Sequence, residues 1–139
     1  MKLKILMFLI ALPFASVTFA ADVSKAAEGS EVYFVSPADG ATVSSPVTVI
    51  FGLKGMGVAP AGSNIEHTGH HHLIIDAPLP DLAQPVPSSE NYRHFGKGQT
   101  EATIELAPGK HTLQLLLGDW LHRPHDNPVS SDVITITVE

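Results

Sequence analysis

The chain predicts an all-β, immunoglobulin-like antiparallel β-sandwich of six to seven strands, and three features of its 139 residues predict it. Short apolar runs recur that alternate every second residue, the period of a half-buried strand. Turn-forming clusters such as "SPADG" at 36–40 and "APGK" at 107–110 separate those runs. No stretch after residue 30 carries a convincing helical pattern. A small barrel built from the same strands is the competing arrangement.

The first twenty residues stand apart from the fold. "MKLKILMFLIALPFASVTFA" opens with Lys2 and Lys4, continues through an apolar run from Ile5 to about Phe14 and ends in small residues at Thr18 and Ala20. That three-part pattern is a secretory signal, with cleavage expected after Ala20. A retained anchor is the alternative, but the apolar core is shorter than the ~20 residues a spanning helix needs. The expected organisation is a signal peptide at 1–20, a flexible leader at 21–30 and one sandwich domain at 31–139. Localisation follows as periplasmic or secreted, with no membrane span after cleavage.

Element by element, "VYFV" at 32–35 is the centre of a first strand at 31–36, and "PVTVIFGL" at 46–53 sets Val47, Val49, Phe51 and Leu53 on one face. "HHLIID" at 71–76 is apolar on both faces at its end, as a strand inside a sheet would be. "TEATIEL" at 100–106 turns Ala102, Ile104 and Leu106 inward, and "HTLQLLL" from 111 to 117 turns Leu113, Leu115 and Leu117 inward. With Pro108 and Gly109 between them, these two strands read as a hairpin closed by a type II turn. "VITITVE" supplies a last strand at 132–138, and the stretch containing Pro78, Pro80, Pro85 and Pro87 is loop.

Composition narrows the function. Without Lys2 and Lys4, six Lys and Arg face fourteen Asp and Glu, a net charge of about −8. Nucleic acid and anionic membranes both require a basic footprint, so neither is a partner. The chain has no cysteine, which excludes disulfides, thiolate metal sites and cysteine nucleophiles. A nucleophile elbow, a phosphate-cradling glycine loop and paired carboxylates at a telling spacing are all missing, so a metal-dependent enzyme is the least favoured of the readings.

The eight histidines are what remains. In a sandwich of this order, the start of the strand at 71–76 lies beside the end of the strand at 111–117. His67, His70, His71, His72, His94, His122 and His125 then gather at one end of the domain, and His111 falls at the other end near Asp76. Imidazole is the commonest neutral ligand for zinc and copper, and three or four donors from separate segments make a site. His70 and His72 share one strand face whereas His71 points to the other. The expected metal ligands are His70, His72, His94, His122 and His125, with Glu66, Asp119 and Asp126 as carboxylate ligands or acceptors for imidazole N–H groups. Only Met56 survives signal cleavage, so imidazole and carboxylate donors favour Cu(II) or Zn over Cu(I). Binding is expected to weaken below about pH 6, where free imidazole protonates. Trp120 reads as a core aromatic.

Several long motifs carry a resemblance. "FGLKGMGVAPAG", "TGHHHLIID", "HFGKGQTEATIELAPGKHTLQLLLGDW" and "HRPHDNPV", in that order, resemble the secreted bacterial family known as domain of unknown function 4399, over about residues 31–139. The histidine-bearing motifs of that family fall here on His70, His71, His72, His94, His111, His122 and His125. Residues 36–43 are also similar to the opening of the periplasmic copper-carrier sandwiches, but Ala21 at the expected mature terminus lacks the histidine of their amino-terminal copper site. The expectation is therefore a periplasmic protein that binds a divalent transition metal and takes part in metal handling. A non-catalytic envelope module, with an envelope protein or a glycan as its partner and the histidines structural, is the alternative.

Overall fold

The computed structural model describes residues 22–139; the expected signal peptide and cleavage site lie outside the described residues. Over the described residues the fold is all-β, with nine strands in two sheets. They are β1 (Glu31–Ser36), β2 (Thr42–Val43), β3 (Val47–Lys54), β4 (Gly57–Val58), β5 (Thr68–Ile75), β6 (Tyr92–Phe95), β7 (Glu101–Ile104), β8 (Gly109–Gly118) and β9 (Ile134–Val138). Among the described residues no helix is long and apolar enough to cross a membrane.

The smaller sheet has the order β1-β3-β7, and the larger runs β2-β9-β8-β5-β4 with β6 also paired to β5. Pairing is antiparallel except at β2 with β9 and β4 with β5. Inward side chains of both sheets meet in one core: Val32, Val47, Val49 and Phe51 from the smaller sheet, with Leu73, Leu113, Leu115, Leu117 and Ile136 from the larger. Each such side chain contributes about 1.5–3 kcal/mol by leaving water, which is what holds a disulfide-free domain together.

The central strand is β5. It bonds to β8 along one edge, while β4 and β6 share the other, beside its start and its end respectively. Seven consecutive residues from Gly69 to Ile75 are buried, so both faces of the strand are covered. Leu73 and Ile75 belong to the core between the sheets. Ile74 faces the other way and packs with Leu116 and Val86, joined by Ala77, Leu79 and Tyr92, beneath the proline-rich loop at 76–91. That loop is the roof of the outer face.

Three sequence-based expectations need correction. The segments at 100–106 and 111–117 do not form a hairpin: β7 pairs with β3 in the smaller sheet, while β8 lies in the larger. Both strands put an apolar face inward, and burial is equally served when those faces meet across the core or lie side by side, so periodicity could not choose. Pro108 and Gly109 therefore belong to a crossover, with Gly109 already the first residue of β8. The third strand starts at Thr68, three residues before the expected 71, which places the histidine triplet inside it. His94 does not sit on the approach to β7 but within a strand of its own, β6.

Candidate metal centre

Alternation along β5 separates the triplet. His71 shares the inner face with Leu73 and stacks 5.0 Å from the ring of Phe51. His70 and His72 point to the outer face, their rings 4.5 Å apart. Antiparallel pairing sets His94 of β6 directly opposite His72, and the two rings lie 4.3 Å apart, edge to face.

The fourth imidazole comes from the turn after β8. His122 has a left-handed backbone, φ 61°, which a residue with a Cβ adopts only when its surroundings hold it there. Asp119 does the holding. Its carboxylate is fully buried and its Oδ1 accepts from the N–H groups of Leu121 at 2.8 Å and Arg123 at 2.9 Å. Its Oδ2 accepts from the Ser24 hydroxyl and from the Arg123 guanidinium, at 2.9 and 3.0 Å. Burial alone would raise the Asp119 pKa, but these donors outweigh it and the group is held below its ordinary value. Asp119, expected as a carboxylate ligand or an imidazole acceptor, is thus the buttress of the turn that carries His122.

Nitrogen atoms converge on His122. Its Nδ1 lies 2.9 Å from Nε2 of His70 and 3.1 Å from Nδ1 of His94. Both distances are those of hydrogen bonds between imidazoles, and they are near the roughly 3.3 Å that separates nitrogens bound at 2.0–2.1 Å in a tetrahedral site. His70, His72 and His122 each offer a nitrogen within 4.8 Å of the others, and the cluster could hold a metal ion.

Polar satisfaction is incomplete in this cluster, as it also is at His71 on the inner face, whose two ring nitrogens are buried without a partner. Both ring nitrogens of His72 are buried without a hydrogen-bond partner, as is Nδ1 of His70. A buried imidazole normally donates and accepts, and each orphaned group costs about 1–3 kcal/mol. His72 also rests on Gly118, where an added Cβ would come 2.3 Å from its Cε1. The fold has made room for an imidazole whose backbone acceptor, at Leu116, falls short of hydrogen-bond geometry.

Burial and mutual repulsion keep these rings neutral. Desolvation, reinforced by the neighbouring imidazoles, lowers the pKa of His70 to about 4 and that of His72 to about 2. His122 is lowered by the same causes, burial first. Neutral imidazole is the form that ligates, so the cluster is primed for a cation at neutral pH.

The other histidines lie elsewhere. His125 donates from Nε2 to the carbonyl of Thr68 at 3.1 Å. Its ring borders Gly69 on the side of Leu117, the face of β5 opposite to His70 and His72. The structure therefore does not bring His125 to the cluster. His67 is exposed, 3.8 Å from Glu66. His111 pairs through Nδ1 with Asp76 at 2.7 Å, at the far end of β5 as expected, and that bond raises its pKa. Asp126 accepts from the N–H groups of Ala26 and Asn127 and so ties down the leader. Trp120 joins neither apolar cluster; it lines a cleft of about 490 Å³ with Val23, Ile65 and His67. Sequence reading missed Pro87 and Val86, whose backbone groups bond the ring of His94 and the carbonyl of His122, because main-chain partners leave no compositional trace.

Searches of curated proteins and of solved structures returned no match. A family model described as Domain of unknown function (DUF4399) matches residues 49–139, a span that contains all eight histidines. The chain belongs to the DUF4399 family.

Proposed function

We propose that the protein binds one divalent transition-metal ion, Cu(II) or Zn(II), through His70, His72, His94 and His122, and handles that ion outside the cytoplasm. The observation that carries this reading is His72, an imidazole at the centre of three others with both nitrogens buried and unpartnered. His71 also has both nitrogens unpartnered, but it faces Phe51 on the inner side, whereas His72 lies among three imidazoles on the outer side.

Donor chemistry supports the choice of ions. The four candidates are imidazole nitrogens, Met56 packs against the core between the sheets, and Asp119 is committed to Arg123. Imidazole suits zinc and copper, whereas Mg²⁺ and Ca²⁺ require oxygen. The signal-like first twenty residues support a periplasmic or secreted setting.

X-ray absorption of the ion-loaded protein tests the reading. The expected result is a shell of nitrogen at about 2.0–2.1 Å with imidazole outer-shell scattering. A shell dominated by oxygen would refute it.

A further inference from the structure

The outer-face loop makes two backbone contacts with the cluster. Nε2 of His94 lies 2.8 Å from the carbonyl oxygen of Pro87, and the N–H of Val86 donates to the carbonyl of His122 at 2.8 Å. Two adjacent residues thus bridge β6 and the turn at 119–123, the two segments that contribute histidines from outside β5. Val86 is itself locked in place, buried against Ile74 and Leu116.

A carbonyl oxygen can only accept, so Nε2 of His94 carries the proton and, in the neutral ring, Nδ1 is a bare lone pair. That lone pair faces Nδ1 of His122 at 3.1 Å. Two lone pairs would repel there, so Nδ1 of His122 carries a proton, and Nε2 of His70, 2.9 Å from it, must also be bare. A single proton holds three nitrogens together. Moving it to the other nitrogen of the half-exposed His122 ring leaves three converging lone pairs and no change in net charge.

We infer that Val86 and Pro87 form a positioning strap that fixes the tautomer of His94, so that His94 and His122 ligate through Nδ1 and His70 through Nε2; this rests on the metal-binding reading above. A tautomer change at His122, moving its proton from Nδ1 to Nε2 of the same ring, would free the three converging nitrogens to hold an ion. The Pro87 carbonyl keeps His94 oriented throughout, as acceptors on metal-bound imidazoles do generally. The strap thereby makes the affinity of the site depend on the docking of a loop that contributes no ligand of its own.

Nitrogen-15 NMR of the histidine rings, recorded on the metal-free protein and again after one equivalent of Zn(II), tests the inference. In the metal-free protein His94 is expected as the Nε2–H tautomer, and in the loaded protein its Nδ1 and that of His122 are expected to show the shift of ligation. Pro87→Gly, which keeps the carbonyl but frees an exposed backbone position, is expected to mix the His94 tautomers and to raise the Zn(II) dissociation rate about tenfold. Val86→Ala is the second variant, expected to act in the same direction by loosening the anchor. An Nδ1–H tautomer in metal-free His94, ligation through its Nε2, or unchanged spectra and release rates in both folded variants would overturn the strap. Failure of the wild type to bind Zn(II) or Cu(II) would instead overturn the metal-binding reading, and the metal-free tautomer would still decide for or against the strap.

Discussion

His94 stands directly opposite His72 across the β5–β6 ladder, and its ring meets that of His72 edge to face at 4.3 Å. The pair joins a two-residue-spaced histidine couple on a central strand to an imidazole from a four-residue strand and another from a strained turn. The fold brings ligand atoms of His70, His72 and His122 within 4.8 Å of one another, with His94 against His72 and His122, while the nitrogens of His72 have no hydrogen-bond partner. That combination makes opposite predictions for stability and for binding.

His72→Leu removes two unpartnered buried nitrogens and keeps the volume near that of the imidazole. Thermal unfolding of the metal-free variant should show stability raised by about 1–2 kcal/mol, since an orphaned buried polar group costs on that order. Stabilisation of the same variant by added Zn(II) or Cu(II) should disappear. A variant destabilised in the metal-free state would mean that His72 has a structural partner after all.

Acid should unfold the metal-free domain early. Burial depresses the pKa of His70 and His71 to about 4 and of His72 to about 2, so the unfolded chain takes up protons near pH 6.5 that the folded chain refuses. Their contribution is complete above about pH 6.5 and is lost as pH falls, by about 1.4 kcal/mol per pH unit for each histidine until its folded pKa is reached. His111, raised by Asp76, works in the opposite sense: its contribution is present in acid and lost as pH rises through its folded pKa. With total stabilities of about 5–15 kcal/mol, denaturant midpoints should fall steeply between pH 6.5 and 4.5. A flat profile over that window would contradict the burial of the triplet. Metal binding should persist below the pH 6 expected for free imidazole, since His70 and His72 stay neutral there.

Gly118→Ala places a methyl carbon where the ring of His72 lies, 2.3 Å from its Cε1. The ring must swing away, at a cost of about 1–3 kcal/mol in stability. Zn(II) affinity should fall at least tenfold in calorimetry although no candidate ligand has been changed. Affinity equal to wild type would show that the position of His72 over Gly118 is not required.

Much of the architecture was legible in the sequence because alternation is a strong signal in Val47–Leu53, Leu113–Leu117 and Ile134–Val138. Pairing was less legible. The faces of β7 and β8 are apolar in the same way whether they meet across the core or side by side, so the crossover at Pro108 was read as a hairpin. His70, His72 and His122 could be grouped because adjacent antiparallel strands bring their segments together. His94 was grouped with them for a different reason from the real one, since β6 is too short and too polar to announce itself. His125 shares a loop with His122 but is turned to the inner side, beside Gly69, and three residues of separation in an irregular turn fix no common direction.

Asp119→Asn tests the buttress. The carboxylate accepts from two backbone N–H groups, a hydroxyl and a guanidinium, and replacing it removes half of a buried ion pair. The expected loss is about 3 kcal/mol in chemical denaturation, in line with breaking a buried pair from one side. Metal affinity should fall as well, because His122 then loses the frame of its left-handed turn. A stable variant with wild-type affinity would contradict the role assigned to Asp119.

The most direct measurement is calorimetric titration of residues 21–139 with Zn(II) and with Cu(II), comparing wild type, the His72→Ala, His122→Ala double variant and His111→Ala. Wild type and His111→Ala should each bind one ion with the same affinity, while the folded double variant should show at least a hundredfold loss. Equal affinity in all three proteins, or no binding by wild type, would contradict the assignment of the histidine cluster as a metal centre.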